Sequence, residues 1–157
     1  MENIDQTLEI MINENEQILK YLAFQIGNEI YGIYVKNINE IIGMRPFTVL
    51  PNVADYIKGL INLRGNVFPI IELRERIGLP NIPYTETTCI IIVNYNQYSL
   101  GLIVDNVIEV VDLDLSNATP PPQTYKGTQS KYITSIAKMD DGNVIILLDL
   151  EKLLISK

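Results

Sequence analysis

From Tyr21 onward, apolar and polar positions follow the short period of strands. Tyr21–Ile26 and Tyr31–Val35 are β-rich runs separated by a Gly27-Asn28 signal, which predicts a hairpin. Lys36–Ile42 places Ile38, Ile41 and Ile42 on one face, as a short helical turn or an irregular strand. A second strand pair is predicted at Ile57–Leu63 and Val67–Leu73, with Arg64-Gly65-Asn66 between them. Leu73–Ile77 then reads as one helical turn stopped by Gly78 and Pro80. Asp112–Lys131, with Pro120-Pro121-Pro122, reads as a long surface loop. Asp140-Asp141-Gly142 marks a tight turn between Ile133–Met139 and Val144–Leu148, and Asp149–Leu154 closes as a short helix with Asp149 as N-cap. Residues 1–19 break the pattern. They are acidic and amide-rich, with Ile4, Leu8, Met11 and Ile12 at roughly helical spacing, and predict a tail or short amphipathic helix.

The two halves repeat one another. Tyr31–Ile42 lies over Leu100–Val111 with Gly, Val, Asn and Glu coinciding, and Gly65–Leu73 lies over Gly142–Leu150. Two matching blocks in the same order identify an internal duplication, with a first repeat of about 20–82 and a second of about 85–154. Each copy offers about five short strands, too few to hide both faces of an open sheet. Closing each copy on itself removes its edges, and packing the copies together buries more apolar surface. The fold class expected is all-β: two small five-stranded barrels with a groove between them, plus short helices.

Composition narrows the function. Nineteen acidic against twelve basic residues give a net charge of −7, so neither nucleic acid nor an anionic membrane surface is an expected partner. There is no histidine, and Cys89 is the only thiol, which leaves no intrachain disulfide and no His/Cys set for zinc. Cys89 sits in an apolar strand pattern and reads as a buried structural thiol. The first residues are acidic rather than basic, and no apolar run approaches the ~20 residues of a membrane span, so a cytoplasmic protein without membrane insertion is expected.

No catalytic constellation emerges. Asp140-Asp141 is accounted for by its turn, and Glu72 and Asp149, at equivalent repeat positions, by capping and helix-dipole contacts. Asp112–Ser116 resembles the start of a calcium loop, but Asn117 occupies the place of the turn glycine and Gln123 that of the bidentate Glu. No phosphate loop, dinucleotide fingerprint or nucleophile elbow is present. The expectation is a non-enzymatic binding module with no cofactor and no metal. Arg64, a cation at a turn tip between apolar strands, stands open between a solvated turn residue and an interface anchor. Glu40 and Glu109, at matching repeat positions, stand open between the polar side of an amphipathic turn and a binding role.

These residues also carry a resemblance. Tyr31–Val35, Ile38–Ile42 and above all Tyr56–Gly65, with its IKG and NLRG runs, resemble the CheW family of bacterial chemotaxis coupling proteins. Phe68–Arg74, Gly101–Asp105 and Leu147–Asp149 continue it in register, over about Tyr21 to Leu154. Phe68 and Glu72 depart from it, standing where the family more often has Ile or Val and Asp. The resemblance implies two SH3-like barrels, residues 20–154 forming a CheW-like domain after an N-terminal segment of 1–19, and a scaffold that links chemoreceptors (methyl-accepting chemotaxis proteins) to the histidine kinase CheA at membrane-associated arrays. It implies receptor contacts at Ile38, Glu40, Arg64, Val107 and Val110, and kinase contacts at Arg45, Thr48, Lys58 and Gly59; Gly59 is equally readable as a backbone requirement. The same fold forms the kinase's regulatory domain and part of a related coupling protein carrying a receiver domain. The β pattern occupies nearly all of this chain, which points to a stand-alone adaptor. The competing reading is a regulatory module that binds a kinase without coupling receptors.

Overall fold

A computed structural model describes residues 18–121 and 131–155. Among these residues ten strands run in chain order as β1 (Ile18–Ile26), β2 (Glu29–Tyr34), β3 (Ile38–Gly43), β4 (Ile57–Leu63), β5 (Asn66–Glu72), β6 (Cys89–Tyr95), β7 (Tyr98–Val104), β8 (Asn106–Asp114), β9 (Ile133–Lys138) and β10 (Val144–Leu148). Helix α1 (Leu73–Ile77) follows β5 and α2 (Leu150–Ile155) follows β10, the matching places of the two repeats. The helical reading of the N-terminal segment, and part of the proline-rich loop, lie outside the described residues.

Two five-stranded sheets form, but neither is made of one repeat. The first is ordered β8-β1-β2-β10-β9 and the second β3-β6-β7-β5-β4. With β6–β10 counted as the second copy of β1–β5, both sheets have the same order, and each inserts the leading hairpin of one repeat between strands of the other. The expectation that each copy closes on itself is corrected accordingly. The exchange follows from short links: the 3-10 turn Val35–Asn37 carries the chain from β2 to β3, and Asp105 alone separates β7 from β8. Each borrowed hairpin pairs antiparallel with its host on one side, β1 with β8 and β6 with β3, and parallel on the other, β2 with β10 and β7 with β5.

Among the described residues three apolar clusters result. Ile42, Ile61, Leu63, Ile70, Ile90, Ile92 and Ile103 fill one sheet, and Ala23, Leu113, Ala137, Ile145 and Leu147 fill the other. Between the sheets lies a larger core that includes Leu22, Phe24, Ile33, Leu73, Ile91, Val93, Leu102, Tyr132 and Leu153. Each unit is closed by one two-bond bridge from the segment after its third strand: Thr48 to Leu60, both bonds 2.8 Å, and Thr119 to Ile136, at 2.8 and 2.6 Å.

Local outcomes follow from strand alternation and turn geometry. The 36–42 segment is a 3-10 turn and then a strand, so Ile41 is 44% exposed while its neighbour Ile42 is 9% exposed; the two do not share a face. β8 runs on to Asp114, because Leu113 is buried and pairs with Leu19, so the loop begins later than expected. Asp114 instead caps the 3-10 turn Leu115–Asn117, its Oδ1 accepting from Ser116 N at 3.0 Å. Asp149 Oδ1 accepts from Lys152 N at 3.2 Å, as an N-cap should. Glu72 makes no capping bond; its buried carboxylate accepts the Tyr84 hydroxyl at 2.9 Å.

Gly32 and Gly101 occupy equivalent places on the two borrowed hairpins. A Cβ on Gly101 would stand 2.7 Å from Ile90 Cγ2 and 3.0 Å from Ile70 Cγ2, and one on Gly32 would stand 2.8 Å from Ile145 Cδ1. Gly101→Ala is expected to cost about 1–3 kcal/mol by overpacking, read as a lower denaturant midpoint with an unchanged slope.

Candidate partner-binding surface

Ile38 and Val107 are repeat equivalents. They stand near the starts of β3 and β8, directly after the two crossings between sheets, and both pack half-buried on the rim of the central core. Val110 lies on the same face of β8, paired with Leu22, and is exposed. Two residues beyond Ile38, Glu40 accepts a hydrogen bond from Arg64 Nη2, an ion pair in which the Arg64 side chain remains 69% exposed. The structure thus joins two of the expected receptor-contact residues to each other and sets two more on the rim of one core.

Arg64 is also conformationally marked. Leu63 pairs with Asn66, so Arg64-Gly65 is a two-residue hairpin loop, with φ values of 51° and 86°. Positive φ at both central residues is the type I′ turn, whose twist suits the flanking strands but which a non-glycine residue adopts at a cost. The corresponding turn of the second repeat spans Asp140–Gly142 between paired Met139 and Asn143, and there only Gly142 has positive φ. Asp141 receives Asn143 N at 2.9 Å, and Glu109, equivalent to Glu40, is exposed.

The four expected kinase contacts sit beside the first unit's closure. A Cβ on Gly59 would fall 2.1 Å from the Thr48 carbonyl oxygen, so the Thr48–Leu60 bridge requires glycine there. Gly59 is thereby shown to have a backbone role, whatever it contacts. Lys58 Nζ bonds Glu75 Oε1 at 2.7 Å, in a pair mostly removed from solvent, and Asn81 bonds the same oxygen. Arg45 is exposed. Cys89 is half-buried at the start of β6, and burial pushes its thiol up, which keeps it protonated. Among the described residues no group of His, Cys, Asp and Glu is arranged to hold a metal ion, and no helix is long and apolar enough to cross a membrane.

Residues 20–157 match the family model described as a CheW-like domain. The chain belongs to the CheW-like family. A chemotaxis protein CheW of Klebsiella aerogenes is 36% identical over 138 residues, 88% of this chain and 82% of that protein. One from Helicobacter pylori is 34% identical over 134 residues, 85% of this chain and 81% of the other. The crystal structure of the scaffolding protein TtCheW from Thermoanaerobacter tengcongensis superposes with a TM-score of 0.80 at 33% identity, covering 88% of this chain and 95% of that one. The two five-stranded sheets are those of the SH3-like CheW fold.

Two features of this CheW-like domain escaped the sequence reading. Arg74, on α1, donates Nε to Asp105 Oδ1 at 2.9 Å and Nη2 to Oδ2 at 2.5 Å, while Gly27 N donates to Oδ2 at 2.8 Å. This fork ties the β1–β2 turn, α1 and the β7–β8 crossing together. Buried Arg76 lies between the rings of Tyr56 and Tyr132, 4.2 and 4.9 Å from their centroids, and donates to the carbonyls of Leu153 and Lys152 in α2. The repeat did hold a signal: Arg74, Arg76 and Asp105 stand where the other copy has Glu151, Leu153 and Lys36.

Gly59→Ala is expected to lower stability by about 2–4 kcal/mol, because the new methyl meets rigid backbone; a melt matching the parent protein would refute the closure argument. Burial alone would raise the Asp105 carboxyl, but the Arg74 fork, the Gly27 N–H and the guanidinium charge outweigh it and hold Asp105 below the ordinary range. A depressed folded-state pKa stabilises the protein above the unfolded-state value and loses that contribution as pH falls through the folded value. Asp105→Asn is therefore expected to lower stability at neutral pH by about 2 kcal/mol and to flatten its loss below the ordinary carboxylate range, read from urea midpoints across pH.

Proposed function

We propose that this CheW-like protein is a non-catalytic cytoplasmic adaptor that couples the cytoplasmic tips of chemoreceptors to the regulatory domain of the kinase CheA, and so works at membrane-associated arrays. The observation that carries this reading is the rim where Ile38 and Val107 meet the central core beside the Glu40–Arg64 pair. A helical receptor tip presents apolar residues at intervals of three and four, which such an apolar rim suits. Ile38, Val107 and Val110 would take that stripe, and Arg64 and Glu40 would fix its register by hydrogen bonds. Arg45, Thr48, Lys58 and Gly59 form the proposed kinase side, on and beside the closure of the first unit. That the relatives are named chemotaxis proteins, and one a scaffolding protein, supports a coupling role over a purely regulatory one.

Arg64 separates folding from binding. With Arg64 largely exposed and Glu40 partly buried, the pair contributes about 1 kcal/mol to stability, while a left-handed Arg costs a similar amount. Arg64→Gly is therefore expected to melt within about 1 kcal/mol of the parent. The same change is expected to weaken binding to receptor fragments by about 2 kcal/mol, a hot-spot magnitude, in calorimetric titration. Unchanged receptor binding by this variant would remove Arg64 from the interface, and co-sedimentation with receptor-bearing membranes that does not respond to CheA would remove the coupling function.

A further inference from the structure

A cleft of about 240 Å³ opens where the first sheet meets the β6–β7 turn and the Val35–Asn37 crossing. Its walls are Tyr21, Tyr34 and Tyr95, its floor includes the buried Leu147, Leu148 and Leu150, and its rim carries Asp149 and Glu151. Tyr21 and Tyr34 are a cross-strand pair with ring centroids 5.7 Å apart and planes inclined by 42°. All three tyrosines are half-buried. No hydrogen bond links their hydroxyls to another described residue. Among the described residues no lysine or arginine lines the cleft. Asp149 uses Oδ1 to cap α2, and its Oδ2 makes no hydrogen bond among the described residues.

We propose that this cleft is a binding site for an arginine side chain reaching in from a partner protein. Three tyrosine rings, whose π-systems attract cations, and two rim carboxylates make the cleft favourable for a positive charge. The apolar floor lowers the local dielectric and strengthens that attraction. A planar guanidinium suits the site better than a quaternary ammonium, because it stacks on a ring while its five N–H donors reach the phenol oxygens and Asp149 Oδ2. The repeat points the same way: Tyr34 and Tyr21 have Ile103 and Ile90 at the matching places of the second copy, both buried, so neither tyrosine is demanded by the fold there. The cleft shares no lining residue with the Ile38, Val107 and Arg64 rim, although Asn37 precedes Ile38 in the chain, and the inference does not rest on which partners that rim binds.

The test titrates the full chain, labelled with carbon-13 in its tyrosine rings, with N-acetyl-arginine amide and with the citrulline analogue, which matches it in shape and lacks the charge. The ring signals of Tyr21, Tyr34 and Tyr95 are expected to move with the arginine compound and not with the citrulline one. Tyr34→Leu is expected to weaken the arginine response about fivefold or more, Tyr34→Phe to retain most of it, and Val67→Ala, an exposed side chain on β5 outside the cleft, to leave it unchanged. Should Tyr34→Leu unfold, Glu151→Lys at the exposed rim reverses a charge without touching the core and is expected to weaken binding likewise. Equal responses to the two compounds, no movement of the three signals, or full binding by both Tyr34→Leu and Glu151→Lys would overturn the proposal.

Discussion

The constraint on which the rest of this structure depends is the exchange of hairpins between the two repeats. Because β1–β2 is built into a sheet with β8, β9 and β10, while β6–β7 is built into the other with β3, β4 and β5, neither half of the chain has a complete sheet of its own. The central core, with Phe24 and Ile33 from one repeat and Ile91 and Leu102 from the other, then forms only when both copies are in place. A duplicated sequence that could fold as two independent small units would leave each with little buried apolar surface. The exchange removes that option and makes one cooperative body of the two.

The same exchange places the candidate surface. The crossings at Val35–Asn37 and Asp105 bring β3 and β8 out of the core at equivalent points, and the first inward-leaning residue after each crossing, Ile38 or Val107, lands on the rim of the shared core. The crossings are held differently. Asp105 is gripped by Arg74 and by the Gly27 N–H, so the β1–β2 turn, α1 and the β7–β8 corner behave as one joint. The two helices are locked to each other through Arg76, whose planar head is stacked by two tyrosines and whose N–H groups satisfy carbonyls at the end of α2. A rigid rim needs both devices, since a groove between mobile halves would give up binding free energy as ordering entropy.

Much of the fold was legible because period and turn chemistry are local. The Gly27-Asn28 and Arg64-Gly65 turns, the stop at Gly78 and the Asp149 cap are read from a few adjacent residues. The duplication was legible because whole blocks coincide. The exchange was not, since periodicity marks strands without saying which strands pair, and closing each copy on itself uses the same pattern. Ile41 was misplaced for a related reason: a run of isoleucines suits a helical face and a strand equally, and only pairing with β6 decides that Ile42 points inward and Ile41 out. For the candidate surface, the residues suggested by resemblance reached two neighbouring regions, but that Glu40 binds Arg64, or that Gly59 lies under the Thr48 carbonyl, is a tertiary fact.

An adaptor built by duplication faces a problem of identity. Equivalent strands, turns and rims offer nearly equivalent surfaces, and a partner that recognised only their shape would bind both. The two units differ instead in charge and turn geometry at matched positions. Glu40 is answered by Arg64 on a type I′ turn in one, whereas in the other Glu109 and Asp141 have no such pairing among the described residues. A partner group that complements the first pair meets like charge at the second, and repulsion discriminates as effectively as attraction. The core keeps the symmetry of the duplication because packing demands it, whereas the surface is free to break it at the matched positions.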